Sequence, residues 1–157
     1  MHRRALLKGG LSTAPLALLA AAGLLPRLLP AAGTSTWPSE AFNAEDLAEA
    51  ERLLFAEVAV EDTDLVAITA PDIAENGRVV PVEVRIDLPN PQRLALLSDG
   101  NPFPLLAQAH FTPDVEPVVS VRVKMGESAN LIALAEADGK LYRAMRAVKV
   151  TAGGCGG

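Results

Sequence analysis

The sequence predicts a mainly β fold: an immunoglobulin-like antiparallel β-sandwich with an N-terminal helix and a flexible C-terminal arm. From residue 64 onward, apolar and polar residues alternate with the two-residue period of strands. Turn-forming residues recur about every ten positions over the same stretch, which indicates short strands joined by tight connections. Half of the residues are apolar but only six of 157 are aromatic, so the core of the sandwich is expected to be aliphatic.

Residues 64–150 are predicted to form a single sandwich domain of seven strands. The strands are residues 65–70, 79–88, 93–98, 105–111, 118–125, 130–137 and 140–150. In the fifth strand, four apolar residues at alternate positions share one face: Val119, Val121, Val123 and Met125. Arg122 and Lys124 lie on the opposite, solvated face.

Glycine, asparagine and proline mark the connections between these strands. Asn76-Gly77 and Asp138-Gly139 are typical of two-residue hairpins, and residues 89–91 and 99–102 are expected to form wider corners. Pro81 cannot donate a ladder hydrogen bond, so its strand is expected at a sheet edge or at a bulge.

Residues 34–63 are predicted to contain a lead-in and the N-terminal helix. Asn43 is expected to cap this helix, which packs Leu47 and Leu54 on the domain and ends near Phe55. The acidic stretch at residues 61–64 lacks the length and the glycine of an EF-hand calcium loop. It is therefore expected to be a solvated connection.

Positive and negative charges are unevenly distributed along the chain. The net charge is −5, and four basic residues lie in the first 33 positions: Arg3, Arg4, Lys8 and Arg27. That segment contains no acidic residue, so removing its four positive charges leaves −9. A body this acidic repels phosphate groups, which argues against nucleic acid as a main partner.

Residues 1–33 are typical of a twin-arginine export signal. Arg3 and Arg4 precede a Leu/Ala-rich run that ends in small residues at positions 31–33. The alternative is a membrane anchor, but Pro15, Pro26 and Arg27 interrupt the run before it reaches about 20 apolar residues. We therefore expect export to the periplasm, with no membrane association after cleavage.

The single cysteine, Cys155, stands between two glycine pairs. These are Gly153, Gly154, Gly156 and Gly157. Glycine has no side chain with which to bury a thiol, and it leaves the backbone free to adopt positive φ. Residues 151–157 are therefore predicted to form an arm that presents the thiol, and its extended reach from Val150 to Cys155 is at most roughly 17 Å. The alternative is a tail whose cysteine only links two chains.

Residue patterns typical of enzymes are missing from the sequence. It has no Gly-x-Ser-x-Gly elbow, phosphate-binding loop or His-Glu-x-x-His zinc motif. One cysteine also excludes an internal disulfide framework and a cysteine-based metal cluster. His110, inside a predicted strand, is more typical of a packed or half-exposed residue than of a catalyst. We therefore expect a non-enzyme without a cofactor, whose mostly protonated thiol is activated inside a partner.

Residues 148–157 resemble the end of the sulfur-oxidation carrier family SoxY. Segments 70–77, 79–82, 122–125 and 138–142 are similar to segments of that family in the same order. The resemblance implies a periplasmic carrier that holds thiosulfate-derived sulfur covalently on Cys155, with the four flanking glycines as its swivel. A sulfur–sulfur bond suits this role, because it is stable in an oxidising compartment and transferable by exchange.

The resemblance also implies partners. They are a SoxZ-type β-sandwich subunit in a heterodimer, a c-type cytochrome that loads the cysteine, a sulfate-releasing hydrolase and a sulfur dehydrogenase. Residues 131–135 form an apolar run with little polar face, which supports the expectation that the body is stably soluble only as a heterodimer with this subunit.

Two other functions stay open on the sequence. A ubiquitin-like sulfur carrier would use a thiocarboxylate on its terminal Gly-Gly, but it needs ATP-dependent activation in the cytosol, which the export signal argues against. An adhesion or assembly module would use its sandwich faces and dimerise through Cys155. Replacing Cys155 separates the carrier from the first alternative, and removing the arm separates it from the second.

Overall fold

The computed structural model describes residues 37–151. Two helices, α1 (Ser39–Asn43) and α2 (Leu47–Phe55), precede the strands. The strands are β1 (Val60–Asp62), β2 (Val66–Thr69), β3 (Ile73–Ala74), β4 (Val80–Ile86), β5 (Pro91–Ser98), β6 (Leu105–His110), β7 (Val118–Val123), β8 (Ala129–Ala137) and β9 (Lys140–Val150). The predicted export signal and the glycine arm with Cys155 lie outside the described residues.

The strands form two sheets. The larger has the order β1-β9-β8-β5-β6, with β3 also paired to β9, and the smaller has the order β2-β4-β7. The predicted mainly β sandwich is therefore confirmed. All seven predicted strands are present, and their ends lie within two residues of the predicted ones.

Both faces of the larger sheet are covered, and this explains its most apolar strands. Leu94 and Leu96 of β5 pack in the core between the two sheets, whereas Ala95 and Leu97 pack against the helices on the opposite face. A strand buried on both faces has no polar side.

The run at residues 131–135 in β8 follows the same rule. Its residues alternate between the two cores, and none is more than 3% exposed. The run therefore gives no support to the expected heterodimer, because the chain itself covers both sides of the strand.

Two short strands, β1 and β3, were not predicted. Both pair with β9 in parallel, so the sandwich is not wholly antiparallel. The three residues of β1 are all exposed, and a strand without apolar alternation leaves no two-residue pattern in the sequence.

The acidic stretch 61–64 is largely exposed, as the sequence predicts, but only its last two residues form a connection. Glu61 and Asp62 belong to β1, where they pair with basic residues of β9: Lys140 Nζ lies 3.3 Å from Glu61 Oε1, and Arg143 Nε lies 2.7 Å from Asp62 Oδ1. The hydrogen bond from Arg143 lowers the pKa of the Asp62 carboxyl below its usual value. These pairs hold β1 on the edge of the larger sheet.

The main helix begins later than predicted. Asp46, not Asn43, is the N-cap of α2, and its side-chain oxygen accepts a hydrogen bond from the amide of Glu49 at 2.9 Å. An acidic N-cap followed three residues later by glutamate is typical of a capping box. Asn43 instead ends the short helix α1, which the sequence analysis did not separate from α2.

The two predicted hairpins have different outcomes. Asp138 and Gly139 have positive φ angles of 50° and 74° and join β8 to β9 as predicted. The turn at Asn76-Gly77 is not a hairpin, because β3 and β4 lie in different sheets. Its Asn76 side chain accepts a hydrogen bond from the Arg78 amide at 3.0 Å, which is typical of an Asx turn.

Pro81 lies in β4, the central strand of the smaller sheet, and not in an edge strand. Within residues 37–151, Pro81 nevertheless has a strand neighbour on one side only, as at a sheet edge. β2 pairs with β4 only from Glu83 to Ile86, so among the described strands β7 is the one neighbour at Pro81. The missing amide therefore interrupts no ladder with β2.

Arg93 of β5 joins the helices to the larger sheet. Its side chain is 28% exposed and pairs with Glu136 of β8. Its Nη1 donates to the carbonyl of Leu54 at 3.0 Å, and the guanidinium lies 4.8 Å from the centre of the Phe55 ring. One cation therefore contacts α2 at two points.

We expect Arg93→Ala to lower the free energy of unfolding by about 2–3 kcal/mol, because it leaves the half-buried Glu136 carboxylate unpaired and releases α2. Chemical denaturation measures the loss. Arg85→Ala, which removes the fully exposed pair with Glu116, is the control and is expected to lose much less stability. Equal losses in the two variants would show that Arg93 does not fasten the helices.

Candidate functional site

The structure locates the base of the predicted arm. β9 runs to Val150, and Thr151 is the last described residue, four positions before Cys155. The Thr151 amide donates to the carbonyl of Ala74 at 3.1 Å, and its hydroxyl to the carbonyl of Glu75 at 3.4 Å. The sequence analysis assigned Thr151 to the arm, but these bonds make it part of the sandwich edge.

One side of the base is held by β3 and the residue before it. Ala74 pairs with Val150, and the Lys149 amide donates to the carbonyl of Asp72 at 2.9 Å. Arg146 reinforces this side, because its guanidinium contacts the Asp72 carboxylate at 2.9 Å and the carbonyl of Ala70 at 3.1 Å. The end of β9 is thereby tied to the segment that connects the two sheets.

The opposite side of the base is held by one side chain, that of Ser128. Its hydroxyl accepts a hydrogen bond from the Val150 amide at 2.9 Å and donates to the Val150 carbonyl at 3.4 Å. Ser128 directly precedes β8. The hydroxyl therefore bonds to the Val150 backbone groups that a longer β8, beginning before Ala129, would have paired with.

Gly77 holds the base from the core side. Its carbonyl accepts from the Met125 amide at 2.7 Å. A β-carbon at this position would lie 2.5 Å from the Met125 carbonyl oxygen and 2.8 Å from Cγ1 of Val150. Only glycine allows this close approach, which packs the Val150 side chain against the turn.

The surface around the base mixes apolar and charged groups. Ile73 is 57% exposed and Val79 is 49% exposed, and Lys149 of β9 is exposed beside Ile73. In residues 37–151, no group of three or more histidine, cysteine or acidic side chains is arranged to hold a metal ion. The contacts at the base fix the backbone of β9 in place as far as Thr151.

The structure does not bring His110 to this site. It is exposed at the end of β6, which is the strand farthest from β9 in the larger sheet. The candidate site residues themselves, Cys155 and its four glycines, lie outside the described residues.

Sequence analysis missed the residues that hold the base. Ser128 lies in an exposed connection and belongs to no periodic pattern. For Gly77 the sequence offers a turn dipeptide with Asn76 and the family-like segment 70–77, and neither shows what the glycine contacts. Hydrogen bonds from a single side chain to a distant backbone leave no other trace in a sequence.

A family model described as "Sulfur oxidation protein SoxY" matches residues 51–155. The matched segment contains all nine described strands and ends on Cys155. The chain belongs to the SoxY family. This confirms the resemblance that residues 148–157 indicate.

Two solved structures extend the comparison. The sulfur carrier protein SoxY from Chlorobium limicola f. thiosulfatophilum is 37% identical, with a TM-score of 0.62 over 67% of this chain and 96% of that chain. A variant of the superoxide reductase (neelaredoxin) from Ignicoccus hospitalis is 21% identical, with a TM-score of 0.51 over 59% of this chain and 94% of that chain. The second likeness shows the fold alone. No curated protein matches the chain.

Neither α1 nor α2, the two helices in residues 37–151, is long and apolar enough to span a bilayer.

Proposed function

We propose that this SoxY-family chain carries thiosulfate-derived sulfur covalently on Cys155 and presents it to partner enzymes in the periplasm. One observation carries the proposal. A strand held at its end on both sides is followed within five residues by the only cysteine, between two glycine pairs. The 37% identical relative is a sulfur carrier protein, which supports the same role here, and the twin-arginine pattern of residues 1–33 supports export.

The loading step joins two sulfur atoms. The Cys155 thiol loses its proton, its sulfur bonds to the outer sulfur of thiosulfate, and the pair gives up two electrons. The product is a cysteine S-thiosulfonate, and the electrons pass to an oxidant of the c-type cytochrome class in the loading enzyme. A cysteine thiolate is the side chain suited to such a bond, because a hydroxyl or an amine cannot form a reducible sulfur–sulfur link.

The unloading step releases sulfate. Water attacks the terminal sulfur of the S-thiosulfonate, the sulfur–sulfur bond to that group breaks, and sulfate and a proton leave. Cys155 then carries a persulfide that a sulfur dehydrogenase oxidises further. Each step takes place inside a different partner, so the carrier has to offer the same thiol in several orientations.

The direct test is the intact mass of the exported protein before and after reduction. Sulfur bound to Cys155 adds mass that a reductant removes, because the link is a sulfur–sulfur bond. Protein that carries only the bare thiol after exposure to thiosulfate and the loading enzyme would refute the carrier function.

The proposal includes a SoxZ-type subunit, and one side of the sandwich is suited to receive it. β6 and β7 are edge strands of the two sheets. Apolar residues of this region are packed against the main core but only partly buried: Leu106, Ala107, Ala109, Phe111, Val119 and Val121. β6 contains no aspartate, glutamate, lysine, arginine or proline, whereas natural edge strands are commonly protected by charge or proline.

We expect Ala107→Glu in β6 to weaken the heterodimer by tenfold or more, because Ala107 is only partly buried in the free subunit and association would take the added carboxylate wholly out of water. Sedimentation of the mature protein with its SoxZ-type partner measures the dissociation constant. Ala67→Glu, at an exposed position of β2, is the matched control and is expected to bind as the wild type does. Unchanged affinity of the Ala107 variant would place the interface elsewhere on the chain.

A further inference from the structure

Ser128 directly precedes the first residue of β8 and lies beside the last residues of β9. The ladder between these strands begins with Ala129 paired to Val148, so Val150 extends beyond the first residue of β8. The Ser128 hydroxyl bonds to both the amide and the carbonyl of Val150. One side chain therefore satisfies both backbone groups that Val150 directs toward this side.

The remaining support of the last residues is small. On the other side, β3 consists of only two residues, and with Asp72 it accepts the amides of Lys149 and Thr151. If the Ser128 hydroxyl were absent, the backbone beyond Val148 would keep only its hydrogen bonds to residues 72–75 and the packing of Val150 against the turn at Gly77. An exposed ladder of so few bonds opens easily.

We propose that Ser128 is a positioning residue that fixes the pivot of the carrier arm at Thr151 and so sets the length of tether on which Cys155 moves. The inference rests on the proposed function, because a pivot matters only if the thiol has to enter partner active sites. A pivot at Thr151 lies four positions before Cys155, with three residues between them, whereas a pivot at Val148 lies seven positions before it.

The change in tether length has a calculable effect. The r.m.s. reach of a glycine-rich chain grows with the square root of its length, from about 11 Å for four residues to about 15 Å for seven. The local concentration of the thiol near a docked active site falls as roughly the −3/2 power of tether length, which is about a twofold loss. Ser128 thereby keeps the thiol concentrated near the position that partners recognise.

The experiment compares three variants of the mature protein. Ser128→Ala removes the hydroxyl, and Ser128→Thr keeps it. Ser120→Ala removes a serine hydroxyl that bonds to Glu83 on the smaller sheet at 2.9 Å, far in sequence from the arm. Amide hydrogen exchange, measured by NMR, is expected to quicken about fivefold at Val150 and Thr151 in Ser128→Ala only, which corresponds to the loss of an ordinary hydrogen bond.

Loading by the purified cytochrome enzyme with thiosulfate gives the functional readout. In Ser128→Ala we expect the KM for the carrier to rise about twofold with kcat unchanged, because the bound geometry is the same and only the thiol's local concentration falls. Ser128→Thr and Ser120→Ala are expected to match the wild type. Small-molecule alkylation of Cys155 should not differ among the proteins.

Several outcomes overturn the inference. Unchanged exchange at Val150 in Ser128→Ala would show that the hydroxyl does not hold the base. Faster exchange throughout β8 and β9 would indicate a general loss of stability, and faster local exchange with wild-type loading kinetics would show that the pivot is irrelevant. If the wild type takes up no sulfur on Cys155, the carrier function fails and the inference falls with it. The exchange experiment uses no partner, so that failure is distinguishable from the others.

Discussion

Cys155→Ser is expected to abolish sulfur loading completely. Wild-type protein incubated with thiosulfate and the loading cytochrome should gain mass that a reductant removes, and the serine variant should gain none. The physical reason is that a serine hydroxyl cannot form a sulfur–sulfur bond, and the chain has no second thiol that could take over. Intact mass spectrometry of both proteins, with and without reductant, measures the difference.

The fold offers a control for this variant. Position 155 lies four residues beyond Thr151, where the described hydrogen bonds of the sandwich end. Thermal unfolding of the serine variant is therefore expected to match that of the wild type, so a loss of loading cannot be attributed to misfolding. A serine variant that gains sulfur mass which a reductant does not remove would instead favour a thiocarboxylate at the terminal Gly-Gly, as in ubiquitin-like carriers, because a thiocarboxylate contains no sulfur–sulfur bond.

Removal of residues 152–157 tests the assembly alternative in the same preparation. The truncated chain keeps the described sandwich, including the partly buried apolar residues of β6 and β7. If the protein works as an assembly module, the truncated form still assembles through its sandwich faces. If it works as a carrier, the truncated form binds its partner subunit but transfers no sulfur.

Much of the fold could be predicted because strand alternation and turn chemistry are local properties. The hairpin at Asp138-Gly139 is an example, since its positive φ angles suit those two residue types. The exposed strand β1 could not be found in this way, because it is held by its ladder with β9 and by the pairs of Glu61 and Asp62 there, about 80 positions further along the chain. Local patterns carry no information on such distant partners.

The apolar run of β8 suggests a surface for a partner subunit, and it is misleading for a related reason. A sequence shows that a strand has two apolar faces, but it does not show whether the second face is covered by another protein or by the same chain. Here α2 covers it, with Leu54 and Phe55 in the same buried cluster as Ile132 and Leu134. The candidate carrier cysteine, in contrast, could be singled out from sequence alone because its flanking glycines form a pattern with few structural explanations.

Replacing Gly153 and Gly154 together with proline is expected to slow transfer by the partner enzymes tenfold or more while leaving the thiol intact. The base of the arm is fixed at Thr151, so only Ala152, Gly153 and Gly154 separate it from Cys155. Proline fixes φ near −65° at two of these three residues, and it also restricts each residue that precedes a proline. Almost all of the freedom between the base and the thiol is then lost.

The effect is large because partner active sites require accurate placement. A displacement of about 1 Å at a reacting centre can lower a rate roughly 100-fold, and a stiff arm cannot adjust to several different sites. Loading and unloading are measured with each purified partner. Alkylation of Cys155 by a small reagent is expected to stay near the wild-type rate, because that reagent needs only an exposed thiol.

The alanine pair Gly153→Ala and Gly154→Ala is the matched control. Alanine adds a side chain but leaves φ and ψ adjustable over the allowed regions, so the double alanine variant is expected to transfer sulfur much faster than the double proline variant. Equal slowing in both variants would mean that partners exclude any side chain beside the cysteine, and that close packing of the arm matters rather than rotation. Wild-type transfer by the proline variant would refute the swivel itself, because an arm with two fixed φ angles would then serve every active site.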